Sequence, residues 1–119
     1  MKIADCPQEV RAAQRLRQSI FFNDDTGHDE DRFDLFCDHL IVVDCSKKNE
    51  TTNPQKNSPT GRVVATYRLL GQERIEKSGG FYAASEFDIS PLLDRHEHLR
   101  FWEFGRSCVL PEFRNKRTI

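Results

Sequence analysis

The stretch Phe101 to Arg117, FWEFGRSCVLPEFRNKR, constrains this chain more than any other. It reads as a strongly apolar strand, Arg100 to Val109, with two charged residues, Glu103 and Arg106, embedded in it. A turn at Leu110-Pro111 follows, then a basic run that opens a helix. Charges in a buried strand are expensive unless they are paired or used. Glu103 and Arg106 are an odd number of residues apart, so a regular strand points them to opposite faces. Both reach one cleft only if a bulge intervenes, and Gly105 is the natural place for it. The pair is then either a structural ion pair or a piece of chemistry, and the two roles are compatible.

The rest of the chain supplies the frame for that strand. Lys2 to Asp5 is a short edge strand. Val10, Ala13, Leu16 and Ile20 recur at helical spacing, which predicts an amphipathic helix over residues 8–21. Pro7 suits its first turn, and Asp5 or Cys6 caps it, with Gln8 or Glu9 as the third-position partner. Arg11, Arg15 and Gln18 mark its polar face, with Arg17 near the boundary. Residues 23–34, NDDTGHDEDRFD, have no apolar periodicity and read as an acidic loop. Their spacing does not match a calcium-loop pattern. His39 to Asp44 is a strand, 46–60 is a polar connection, and Arg62 to Leu70 is a second strand antiparallel to the first. Val64, Thr66, Arg68 and Leu70 share one face of it, so Arg68 needs a partner, expected from the acidic loop. Gly79-Gly80 breaks the chain, and Asp88 to Leu93 reads as a capped turn entering a short helix. His96 and His98 read as a solvated pair.

Composition narrows the function classes. Eighteen basic residues against nineteen acidic ones, with a net charge of −1 and a pI near 6.4, give no general reason to expect nucleic acid as a partner. Four widely spaced cysteines without a Cys-x-x-Cys pair are not a zinc signature and read as reduced thiols, mostly buried. No apolar run approaches a membrane span. The expectation is a soluble cytoplasmic protein of one domain, or part of one.

In order and spacing, RLRQSIFF, DRFDLFCDHLIVVD, GRVVATYRLL, GGFYAASEFDISPLL and FWEFGRSCVLPEFR resemble the ornithine-lipid N-acyltransferase group, GNAT-type enzymes also called hemolysin-like. The arrangement is similar to acyl-homoserine-lactone synthases as well. Their hallmark Arg, two Asp, Arg and Glu-x-x-Arg strand fall on Arg17, Asp31, Asp34, Arg68, Glu103 and Arg106. The ornithine group fits better, and the resemblance covers residues 1–117.

The resemblance implies an α/β fold, a GNAT-like, mainly antiparallel sheet flanked by helices, with only the N-terminal portion of that domain in this chain. It implies transfer of a (3-hydroxy)fatty acyl group from acyl carrier protein, or acyl-CoA, to the α-amino group of ornithine, with no permanently bound cofactor. Glu103 and Arg106 then carry the chemistry, and Arg17, Asp31, Asp34 and Arg68 bind substrate or pair with one another. Ser107, Cys108, Val109, Arg114, Lys116 and Arg117 line the acyl donor. Work at the inner face of the membrane and self-association through an open sheet edge are further expectations. The competing readings are a synthase using S-adenosylmethionine and a non-catalytic module that binds acyl carrier protein.

Overall fold

A computed structural model describes residues 1–46 and 61–114. The polar connection from 47 to 60 lies outside the described residues, as do Lys116 and Arg117. The elements are β1 (Lys2–Ile3), α1 (Pro7–Phe22), β2 (Asp38–Asp44), β3 (Arg62–Gly71), α2 (Ile75–Ser78), α3 (Ser90–Arg95) and β4 (Trp102–Val109). Single 3-10 turns lie at Arg32–Leu35, Gln72–Arg74, Tyr82–Ser85 and Pro111–Phe113. The strands form one antiparallel sheet in the order β1-β2-β3-β4, so β4 is an edge strand among the described residues.

Helix α1 begins at Pro7 behind an N-cap at Cys6 whose side chain makes no capping bond. The Glu9 carboxylate accepts instead from the amide of Asp5, one residue before the N-cap, at 3.1 Å, which ties the first turn to the chain entering it. The stripe of Ala13, Leu16 and Ile20 packs against Ile41, Val64 and Cys108 in the first of two apolar clusters. The second lies at the other end of β3, where Leu70 meets Phe33 and Phe81. Along the α1-facing side of β3 the order is Val64, Thr66, Arg68, Leu70, so the polar residues fall between the two clusters.

Two irregularities set the register. One lies where β2 passes from Val42 to Val43 while β3 skips Val64. The other is in β4, where Thr66 faces Cys108 and Arg68 faces Gly105, so Arg106 and Ser107 together oppose Tyr67. The bulge expected at Gly105 is thus displaced by one residue. Gly105 pairs regularly, and Arg106 takes the left-handed conformation, with φ of 49°. That backbone costs a residue with a Cβ about 1–2 kcal/mol, and contacts of the Arg106 side chain offset it. After β3, the 3-10 turns and α2 occupy a stretch read only as a break. Gly79 and Gly80, at φ of 79° and 112°, reverse the chain there, a conformation open to glycine.

Candidate active site

Arg17 stands at the centre of the polar layer with no exposed surface. Its Nε donates to Asp29 Oδ2 at 2.8 Å, and its Nη2 reaches the Asp29 carbonyl at 2.6 Å and both Asp34 oxygens at 2.9 Å. Arg68, facing the same side from β3, donates to Asp31 Oδ1 at 2.7 Å. Asp31 and Asp34 form a capping box around the turn at Arg32–Leu35, which fixes both carboxylates where the arginines need them. Burial pushes the Asp31 carboxyl up, but the Arg68 hydrogen bond and charge, the Phe33 amide and Arg106 together hold it below its ordinary value. The partner for Arg68 therefore comes from the acidic loop, as the strand pattern requires.

His39 closes the layer. It is 3% exposed and faces Arg68 across the β2–β3 ladder. Its Nδ1 lies 3.4 Å from Arg17 Nη1 and its Nε2 lies 3.4 Å from the Asp34 carbonyl. Because a guanidinium can only donate, Nδ1 is the acceptor and Nε2 carries the proton. Burial drives the imidazole pKa down against the raising influence of Asp34, so the neutral ring fits the network.

The bulge brings Glu103 and Arg106 into one cleft of about 350 Å³, with Arg68, Tyr82 and Gly105 among its lining residues. The Glu103 oxygens accept from the amides of Tyr82 and Ala83, each at 2.7 Å. This carboxylate thereby caps the turn Tyr82–Ser85 and draws the Tyr82 ring over the cleft. Arg68 and Arg106 lie 5.7 and 5.8 Å from that ring's centre, within cation–π range. Arg106 stays near Asp29 and Asp31, at 3.7 and 3.6 Å, beyond hydrogen-bond range of either. Arg17, Asp31 and Asp34 are not among the residues that line this cleft.

A second cleft of about 300 Å³ runs beside β4 and shares Phe21 and Ser107 with the first. Ser107, Cys108, Val109 and Arg114 all line it, which brings together every donor-side candidate within the described residues. Arg114 is tied there by its Nε, which donates to the Val109 carbonyl at 3.0 Å. Cys108 is 7% exposed and burial pushes its thiol up to about 11, so it carries little thiolate near neutral pH. The thiols are free, with Cys108 buried, Cys6 and Cys37 intermediate and Cys45 exposed.

Residues 14–119 match the family model for the acetyltransferase (GNAT) domain. The chain belongs to the GNAT family. Curated relatives of this GNAT chain include the L-ornithine N(alpha)-acyltransferases of Rhizobium meliloti (strain 1021), 42% identical over 99% of the chain, and of Agrobacterium fabrum (strain C58 / ATCC 33970), 41% identical over 99%. A third, so named in Brucella abortus (strain 2308), is 39% identical over 100% of the chain. The chain spans 40%, 41% and 43% of the length of these three relatives. No solved structure matches it. No helix among the described residues is long and apolar enough to cross a membrane.

Several cleft and network residues of this GNAT chain escape the sequence pattern. Asp29 and His39 complete the Arg17 network, and Phe21, Cys37 and Tyr82 line the main cleft. The pattern of β2 held one usable signal: His39 and Ile41 are two apart, which puts the histidine on the buried face. Arg17 held another, four residues after Ala13 on the apolar stripe. For Tyr82 the sequence offers no equivalent signal, because its place depends on Glu103 twenty-one residues later.

Proposed function

We propose that this chain forms the reaction cleft of an N-acyltransferase that moves a fatty acyl group, 3-hydroxyacyl in the simplest case, from a phosphopantetheine thioester to the α-amino group of ornithine. The observation that carries the reading is the meeting of two clefts at Ser107 and Phe21, beside a bulge that turns Glu103 and Arg106 to the same side. The relatives' name, L-ornithine N(alpha)-acyltransferase, suggests the acceptor and the kind of group transferred.

In this reading the pantetheine arm lies along Ser107, Cys108 and Val109, and Arg114, with Lys116 and Arg117 beyond it, meets phosphate or the acidic surface of a carrier protein. Acyl carrier protein is the proposed donor, and acyl-CoA offers the same arm. The amine lone pair attacks the thioester carbonyl, forming the C–N bond and placing negative charge on oxygen. Backbone N–H groups between Gly105 and Val109 stabilise that oxyanion. Collapse breaks the C–S bond, and the thiolate leaves to take a proton. The attacking α-amino group must be neutral, and Glu103 accepts its proton directly or through one water. Holding amine and thioester in adjoining clefts contributes the larger share of the acceleration. Arg17, Asp31, Asp34 and Arg68 act by keeping the wall in place. The product, a lyso-ornithine lipid, suits an enzyme working in the cytoplasm against the inner face of the membrane. The edge of β4 that is unpaired among the described residues is where another strand, or a second copy, would pair.

The test is incubation of a 3-hydroxyacyl thioester of acyl carrier protein with ornithine and identification of the product by mass. N-acylornithine, lost in Glu103→Gln, supports the reading. Transfer that needs S-adenosylmethionine, or binding of carrier protein without transfer to any amine, contradicts it.

A further inference from the structure

We propose that Arg106, with the open ground over Gly105, is a recognition site for the α-carboxylate of the acceptor. The inference rests on the acyl-transfer reading and extends it, because it assigns the group that holds the acceptor's carboxylate and so orients its α-amine.

The three arginines of this region use their donors differently. Arg17 and Arg68 are buried, and each makes direct hydrogen bonds to carboxylates. Arg106 is the exception. Its side chain is 26% exposed, it lines the main cleft, and it donates no hydrogen bond among the described residues. Its two acidic neighbours are already engaged, Asp29 by Arg17 and Asp31 by Arg68. Charge attraction and the Tyr82 ring therefore hold the guanidinium in place, with Nη1 toward Asp29 and Nη2 toward Asp31 but both carboxylates beyond hydrogen-bond range, which leaves the N–H groups of the fork without a protein acceptor among the described residues. A fork of this kind matches a carboxylate bidentately. The left-handed backbone of Arg106 is maintained by these neighbours although a side chain rarely adopts it. Such held strain fits a group positioned for a ligand.

Space and charge agree with that assignment. A Cβ built on Gly105 would meet nothing within 4 Å, so the ground between Glu103 and Arg106 is open. An α-amino acid placed there turns its amine toward Glu103 and its carboxylate toward Arg106, the orientation that the attack requires. The network acids Asp29, Asp31 and Asp34 balance Arg17, Arg68 and Arg106, and Glu103 adds one negative charge to the cleft. A diamino acid, with one carboxylate and two ammonium groups, carries the complementary positive charge.

The test uses calorimetric or ligand-detected NMR titration of the chain with L-ornithine and with 1,4-diaminobutane, which lacks only the carboxylate. The wild-type chain is expected to bind ornithine at least about tenfold more tightly, the lower end for a charge-assisted contact. Arg106→Gln and Arg106→Asn should each weaken ornithine about ten- to hundredfold and leave diaminobutane within about twofold. Asparagine tolerates the left-handed backbone, so this variant separates loss of the guanidinium from loss of the bulge. Equal wild-type affinities overturn the inference whatever the variants do. So does an equal loss for both ligands, or a loss confined to an acyl thioester. If the acyl-transfer reading alone is wrong, the ornithine preference and its dependence on Arg106 persist while no N-acyl product forms.

Discussion

Replacing Arg17 by methionine keeps an unbranched stem and removes the charge at the centre of the polar layer. The carboxylates it leaves behind have few alternatives. Asp34, with 3% side-chain exposure, keeps an Arg68 contact at 3.5 Å, and Asp29, with 9%, keeps one to Arg106 at 3.7 Å. Breaking a buried ion pair from one side costs about 3–5 kcal/mol. Arg106 can close on Asp29 and recover part of this, so the lower end, about 3 kcal/mol, is expected for Arg17→Met. Domains of this kind have about 5–15 kcal/mol in total, so the variant should still fold in the cold and unfold at much lower urea. The second variant isolates the cause. Adding Asp34→Asn removes a stranded charge and should restore at least about 1 kcal/mol, whereas simple loss of packing would make the two changes additive. Urea unfolding followed by far-UV circular dichroism measures both. A cost for Arg17→Met below about 1 kcal/mol, or a further loss in the double variant, would refute the reasoning.

Two other outcomes follow from the same layer. Thr66 is 1% exposed, its hydroxyl has no hydrogen-bond partner among the described residues, and it lies between Ile41 and Cys108, so Thr66→Val should stabilise the chain by about 1 kcal/mol in urea unfolding. His39 has its folded pKa lowered from 6.5, so below about that pH the unfolded chain binds the proton first. Its contribution is complete above pH 6.5 and lost as pH falls toward the folded value, a slope that His39→Gln should flatten in unfolding curves measured from pH 7.5 to 5.

The strands were legible because their apolar and β-branched runs stand out locally, and the predicted 8–21 helix falls within one residue of α1 at each end. Parity required a bulge between Glu103 and Arg106 if both were to reach one cleft. Its exact residue was not legible, since the choice of Arg106 over the more permissive Gly105 depends on Asp29, Asp31 and Tyr82 acting on the guanidinium. The same limit explains the stretch from Gln72 to Ser85. Its 3-10 turns and α2 are too short to show periodicity, and they are held from a distance, by Glu103 on the Tyr82 and Ala83 amides and by the Phe101 carbonyl accepting from Gln72. Local pattern reveals elements. The buried charges reveal that partners are needed, and three dimensions decide which ones.

The claim that the cleft between Glu103 and Arg106 delivers an α-amine to a thioester is tested most directly by where the acyl group lands. Ornithine labelled with ¹⁵N at the α position, incubated with the chain and an acyl carrier protein thioester, can be followed by fragmentation of the product. An amide on the labelled nitrogen is expected in the wild-type chain, with a loss of that product in Glu103→Gln. Acylation of the δ nitrogen, or α-acylation undiminished in Glu103→Gln, would contradict it.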